Sequence, residues 1–576
     1  MAARIARTQF VNLYDDPEYQ EKHRELFSGS LLQPLAKVLP PSMQESEFDR
    51  VIEKVISIIG SENVAVGKAL EDYIDPYEFM SEEQRKVPSA AFCPGSVDEL
   101  QSILQVANSH NLPLWTFSRG KNLGYGGPAP AVTGAVALDL HRMNRILEVN
   151  EKFSYAVVEP GVTFTDLYKY CAQHKLRVWP SVPSLGWGSV MGNTLDRGCG
   201  ITPTHSHWQN IAGIEVVLAD GEVVRTGQFA ISNSPTAHVS KFSFGPSLEG
   251  LFLQSNLGVV TKLGIWLFPQ PEAFMSCSWD MPEFEDIKIM TEVLGPLRQS
   301  GVLASTVNVG NIIEHLAMFG ERSDFWTGPG PIPPWRIEEL KKQIDHGYWR
   351  ASFGIYGPKE IVQAHFDHIK RIISRQAPTG RLLGSMFSGE NGEELIASTI
   401  PEPHGGGLVG IPSLWILPMV KFHLPKDKPG KAAHIDFSSL IPSDGDMVLE
   451  WCKISKHISE SHGRDLFCDY FMHERHVMLV NMMTYDRASS KSSQTVDAMW
   501  RDLHHEATEK SYGNYRTHIR YMDLVQDQFD FNNHAYRRFL QRLKGTVDPH
   551  GILSPGKQGI WPQGYDVFSK QGVAIL

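Results

Sequence analysis

The stretch SRGKNLGYGG, residues 118–127, directly follows the apolar run LPLWTF at 112–117 and carries glycines at 120, 124, 126 and 127. It is not G-x-G-x-x-G, and it holds no G-K-[ST] that would set a lysine and a hydroxyl on phosphate and magnesium. The runs on either side, LPLWTF and AVALDL (135–140), are short and apolar, so the loop joins strand to strand. It therefore lacks the following helix whose dipole a Rossmann fold sets against a pyrophosphate. Glycine reaches positive φ without penalty, and a loop built from it can still turn its amides toward an anion. Taken alone, the segment is equally a tight turn. A second glycine-rich stretch, GWGSVMGNTLDRGCG (186–200), offers an opposite wall, and two such loops around one α/β unit favour a dinucleotide.

Working outward, SVDELQSILQVAN (96–108) opens with the capping-box pair Ser96 and Glu99, then repeats Leu100, Ile103, Leu104 and Ala107 at helical spacing. YAVVEPG (155–161) reads as a strand, followed by a helix over TDLYKYCAQHKL (165–176). IAGIEVVLADGEVVRTG (211–227) is a hairpin whose two-residue turn is set at Asp220-Gly221. From residue 271 to 510 the pattern changes to long helical runs, apolar strands and proline-rich loops.

With 576 residues, 42% hydrophobic and 21% charged, the chain has the composition of a globular protein with room for two domains. A formal net charge of −11 argues against a nucleic-acid partner held through phosphates. No apolar run reaches bilayer-spanning length. The start, MAARIARTQFVNLYDDPEYQ, has no signal-peptide core, and the final VAIL is no peroxisomal address, so a cytoplasmic location is expected. The six cysteines (Cys93, Cys171, Cys199, Cys277, Cys452 and Cys468) form no C-x-x-C pair. They are expected to be free thiols in a reducing compartment, with no metal and no structural zinc.

GKNLGYGG, LDLHRMNRILEVN, EPGVTFTDL, GSVMGNTLDRG, GVVTKLGIW, AAHIDFS, YGNYRTH and DPHGILSPGKQGIWP follow one another along the chain. In this order they resemble the vanillyl-alcohol oxidase family of flavoproteins from about residue 90 to the end. The resemblance implies an α+β flavoprotein of the vanillyl-alcohol oxidase / PCMH-type FAD-binding fold. Its FAD-binding domain would combine residues 1–270 and 511–576, and residues 271–510 would form an α+β substrate-binding cap. FAD would be held by Arg119, Gly120, Lys121, Asn122 and Leu123 of the first loop, and by Pro183, Ser189, Gly192, Asn193 and Gly198 of the second. Gly258, Val259, Arg516 and Lys557 would complete the site, and His434 in AAHIDFS would carry the flavin covalently through its 8α-methyl group.

The same resemblance assigns Tyr125, Tyr515 and Arg516 to holding a para-substituted phenol as its phenolate. Hydride would pass from the benzylic carbon to flavin N5 through a quinone methide, and O2 would reoxidise the flavin to give H2O2. The substrates implied are 4-alkylphenols, 4-allylphenols or 4-hydroxybenzyl alcohols. Two departures stand out. Where the family's oxidase has V-P-D-L-G-G-G with an aspartate as base, residues 182–188 read VPSLGWG, so Ser184 stands at the base position and Trp187 replaces a glycine. Residues 61–109 contain no histidine, although the histidyl-flavin member has one there that assists attachment. Asp469, flanked by Phe467 and Phe471 on an inward strand face, is expected to be the relocated base, with Asp436 as the second candidate. Pro183 keeps the oxidase's proline. The alternatives are a dehydrogenase passing electrons to a protein or quinone, or a redox-weak flavin-binding protein. The segment 227–245 is shorter than the family's octamer-forming loop, which implies a homodimer.

Overall fold

The computed structural model describes residues 35–563, apart from 82–83, 390–392, 402–403, 415 and 425–430. Three sheets organise the chain, with a small two-stranded ribbon beside them. The first has four strands in the order Val64–Ala65, Ala91–Phe92, Val136–Asp139, Leu114–Phe117. Its last three strands run parallel. Parallel neighbours need a long crossover, and residues 118–135, glycine loop included, provide it without a helix. The helix Val97–His110 starts where Ser96 Oγ accepts the Glu99 N–H at 3.2 Å. The Glu99 carboxylate reaches Gly95 N at 2.7 Å instead of closing the expected box on Ser96. Its apolar stripe (Leu100, Ile103, Leu104, Ala107) packs with Phe48, Val51 and Val55 of the helix Glu45–Ile59.

The second sheet is antiparallel: Ile146–Asn150, Tyr155–Val158, Val259–Trp266, Ile211–Val217 and Val223–Arg225. The hairpin between its last two strands differs from expectation. Leu218 N donates to Glu222 O at 2.9 Å, which leaves three residues in the turn, and Gly221 sits at φ 90°. A left-handed third residue absorbs the extra length that a two-residue turn lacks.

The third sheet draws its seven antiparallel strands from residues 273–486, in the order Arg381–Ser388, Ala273–Met281, Trp349–Gly357, Val307–Asn311, Cys468–Met472, His476–Asp486, Ala432–Pro442. Strand side chains alternate between faces. Ile435, Phe437, Cys468, Tyr470 and Leu479 enter a core shared with helices Ile287–Gln299, Gly445–Ser461 and Ser490–Glu509, where Trp451 and Trp500 are fully buried. His434, Asp436 and Asp469 alternate with those residues and share the opposite face.

After this sheet the chain recrosses its edge strand, Tyr515 N donating to Ser438 O at 2.8 Å and Leu440 N to Gly513 O at 2.9 Å. It ends beside the first sheet, where Leu114 N donates to Ile552 O and Ser554 N to Leu114 O, each at 2.7 Å. A buried hub fastens this return. Lys544 Nζ donates to Asn256 O (2.7 Å) and Leu553 O (2.6 Å) and lies 2.7 Å from Asp548, whose carboxylate accepts the Ile552 and Leu553 amides. Among the described residues no helix is long and apolar enough to cross a membrane. Lys544→Met leaves Asp548 buried without its cation and is expected to cost about 3–5 kcal/mol. Urea unfolding should show it as a lower midpoint at unchanged slope.

Candidate active site

All four glycines of residues 118–127 adopt positive φ: Gly120 62°, Gly124 79°, Gly126 104° and Gly127 56°. Asn122 O accepts both Tyr125 N (3.2 Å) and Gly127 N (3.1 Å), folding the loop on itself. The second glycine stretch closes against it, since a Cβ on Gly192 would lie 2.3 Å from Ser118 Oγ. Between them runs one cleft. Arg119, Gly120, Lys121, Asn122, Ser189, Gly192, Asn193, Gly258, Val259, Arg516 and Lys557 line it together with Tyr125. Cationic side chains and glycine backbone along a long groove fit the diphosphate of a dinucleotide.

Four residues expected at the cofactor lie off this lining. Leu123 is buried in the third sheet's core beside Tyr77 and Trp187. Gly198 makes a turn in which its N–H reaches Asn193 O at 2.7 Å. Pro183 is half-buried, next to an exposed Ser184. His434 stands behind Gly124, where a Cβ would come within 2.6 Å of the imidazole. Asn256, Ser554 and Gln558 also line the cleft. They belong to none of the expected site residues; Asn256 enters just ahead of Gly258, and Ser554 and Gln558 because the C-terminal return brings them there.

Tyr125, Tyr515 and Arg516 come together at the Arg516 end of the cleft. The Arg516 guanidinium carbon is 5.0 Å from the Tyr515 ring and 5.8 Å from that of Tyr125. Arg516 Nε donates to Asp196 O at 2.7 Å and lies 3.3 Å from the Asp196 carboxylate. The Tyr515 hydroxyl donates to Arg197 O at 2.5 Å. Burial raises both phenols well above the ordinary tyrosine range, with Asp436 adding to the rise at Tyr125, while Arg516 opposes it at both. Both therefore stay protonated near neutral pH and can donate.

Asp469 lies on the sheet face that also carries His434 and Asp436, opposite the core-facing Cys468, Tyr470 and Met472. Phe471 shares its face and is half-buried, while Phe467, two residues before Asp469, is buried. Asn308 Nδ2 donates to Asp469 Oδ2 at 3.1 Å. Burial pushes the Asp469 carboxyl up to about 7, Asn308 pulling it back and Asp436 adding to the rise. Gly310 pairs with Asp469 across the ladder, and a Cβ there would sit 1.8 Å from Glu314 Oε2, so the glycine makes room for a second carboxyl. Burial and the Asp469 charge hold Glu314 well above the usual range. Sequence reading missed Asn308 and Glu314, because strand register brings Asn308 and Gly310 to Asp469, and the helix Ile312–Ala317 carries Glu314 over Gly310. Asp436 Oδ1 lies 3.0 Å from His434 Nδ1.

Comparison with known proteins agrees with this geometry. An FAD-binding-domain family model matches residues 88–227. The flavoprotein subunit of 4-cresol dehydrogenase (hydroxylating) from Pseudomonas putida is 31% identical over 530 residues, spanning 91% of this chain and 98% of that protein. The structure of 4-ethylphenol oxidase from Gulosibacter chungangensis, an isoeugenol complex, superposes with a TM-score of 0.85 at 33% identity, covering 91% of this chain and 99% of its own. That of p-cresol methylhydroxylase with substrate bound gives 0.83 at 29% identity, covering 91% and 99%.

Gly124→Ala and Gly67→Ala separate two costs. Gly67 also has positive φ (62°) but nothing within 4 Å of an added Cβ, so both variants should lose about 1–2 kcal/mol from backbone strain. Gly124→Ala alone should lose a further ~1–3 kcal/mol against His434 and bind less flavin. Thermal unfolding and the flavin-to-protein absorbance ratio check both.

Proposed function

The chain belongs to the vanillyl-alcohol oxidase / para-cresol methylhydroxylase family of FAD-dependent oxidoreductases, and from that premise we propose that it oxidises para-substituted phenols at the benzylic carbon. The observation that carries the proposal is the meeting of Tyr125, Tyr515 and Arg516. Ionising a phenol of pKa about 10 at pH 7 requires about 4 kcal/mol. One charge about 4 Å away at an effective dielectric of about 20 supplies a similar amount. Arg516, with the neutral Tyr125 phenol as a donor and Tyr515 as a second once its hydroxyl turns from Arg197 O, therefore suffices to hold a phenolate.

Bound FAD supplies the hydride acceptor. A phenolate that gives up hydride from its benzylic carbon becomes a neutral quinone methide. Asp469 then removes a proton from a water adding to that carbon, which yields an alcohol and restores the phenolate. With a 4-hydroxybenzyl alcohol it takes the hydroxyl proton and leaves an aldehyde. A carboxyl near pKa 7 is matched to this work at neutral pH. Ser184 has no basicity there. 4-Alkylphenols, 4-allylphenols and 4-hydroxybenzyl alcohols are the substrates proposed, and O2 the acceptor, with peroxide as product; Pro183 beside Ser184 favours oxygen over an electron-accepting protein. Protein bleached anaerobically with 4-ethylphenol should regain its colour in air with one peroxide per alcohol. Recovery only with a dye or cytochrome would favour the dehydrogenase reading.

Asp469→Asn should lower turnover roughly 10²–10⁴-fold while flavin stays bound, and Ser184→Ala should change it little. Because the base is the ionised form, kcat/KM should rise with pH through about 7 in the native enzyme, and that limb should vanish in Asp469→Asn. Water activated from the wall opposite the family's usual base should also give 1-(4-hydroxyphenyl)ethanol of inverted handedness, read by chiral chromatography. Full activity of Asp469→Asn with unchanged handedness would move the role to Asp436.

Covalent attachment through His434 is proposed on the pairing with Asp436. A proton on Nδ1 given to Asp436 leaves Nε2 as the nucleophile, so the carboxylate takes the place of the missing helper histidine. Acid-precipitated protein should keep its flavin fluorescence and His434→Ala should lose it; complete release from native protein rules the bond out. A homodimer is proposed because the segment 227–245 is shorter than the loop through which the family's octamers form. A light-scattering mass of four or eight chains would overturn it.

A further inference from the structure

Beside the cleft, whose lining includes Phe117 and Leu140, the first sheet gathers a thiol, a carboxylate and an imidazole. Ala91 pairs with Ala137 and Phe92 with Leu138 in parallel register. The next residues, Cys93 and Asp139, thus stand side by side at the carboxyl ends of adjacent strands, the edge where open α/β sheets hold ligands. His141 folds back onto this pair. Its backbone N–H donates to Asp139 Oδ1 at 3.0 Å, and its Nδ1 lies 2.9 Å from Oδ2. The Tyr73 hydroxyl is 3.5 Å from Cys93 Sγ. One ligand atom from each of Cys93, Asp139 and His141 lies within 4.8 Å of the other two.

We propose that Cys93, Asp139 and His141 form a zinc site, with water or the Tyr73 hydroxyl in the fourth position. A thiolate, an imidazole and a carboxylate are the donors zinc takes at bond lengths of about 2.0–2.3 Å. A tetrahedron with such bonds has edges of about 3.3–3.8 Å, so the donors need only small side-chain rotations to close on an ion. Binding releases the thiol proton and any proton shared by His141 and Asp139. The His141 side chain is 41% exposed, which leaves access from solvent, whereas Cys93 is buried. The ion would lock the end of the strand that pairs Asp139 with Phe117, the residue immediately before the glycine loop. The competing reading is a plain His141–Asp139 ion pair beside an inert thiol.

Titrating chelator-treated, flavin-containing protein with zinc chloride by calorimetry decides between them. One equivalent per chain is expected, with a higher Tm when it is bound. His141→Ala and Cys93→Ala should each weaken binding at least tenfold, while Cys277→Ala, a buried thiol elsewhere, should leave it intact. His141 is exposed enough for its removal to spare the fold, so that variant decides the matter even if Cys93→Ala does not accumulate. Absence of saturable uptake, or uptake that survives His141→Ala, overturns the site.

Discussion

The site depends on one close approach. Gly124 in the crossover of the first sheet meets His434 on the edge strand of the seven-stranded sheet, at a distance that no side chain on Gly124 would permit. On one side of this contact lies the dinucleotide cleft, and on the other the polar face of the cap. Tyr77 adds its ring edge to His434 from 5.3 Å, and Asp75, which caps the Tyr77 and Phe79 amides, reaches His518 at 3.0 Å. These buried contacts fix how far the two halves can separate, and so where a phenol lies relative to the cleft.

The chemistry then follows from alternation along strands. Residues two apart share a face, so the strand that buries Ile435 and Phe437 necessarily presents His434 and Asp436, and the one that buries Cys468 and Tyr470 presents Asp469. One face is paid for by tryptophans and helices; the other is free to be polar. A carboxyl placed there is dry enough to hold its proton to about 7.

Much of this was legible in the sequence. The glycine loop, the capped helix 97–110 and the strands around them declare themselves through local turn chemistry and periodicity, and the meeting of Tyr125, Tyr515 and Arg516 was expected from motifs that are short and contiguous. What escaped was set by register. Asn308 and Glu314 carry no pattern of their own; ladder pairing sets Asn308 and Gly310 beside Asp469, and the following helix turns Glu314 over Gly310. The hairpin at 218–222 took three residues because Gly221 could adopt φ 90°. Cys93 and His141 are 48 positions apart in the chain; a cysteine-spacing rule sees neither, yet parallel pairing sets them around one point.

The return of the chain to its first sheet also orders events during synthesis. Leu114 waits for Ile552 and Ser554, and the cleft waits for Arg516 and Lys557. The cap's strands all lie within residues 273–486, so the cap can form on the ribosome while the flavin half still exposes an unpaired edge. Such late, sequence-distant closure is slow and prone to mispairing. The cleft is therefore complete only after Arg516 and Lys557 have been made and brought back to the first sheet.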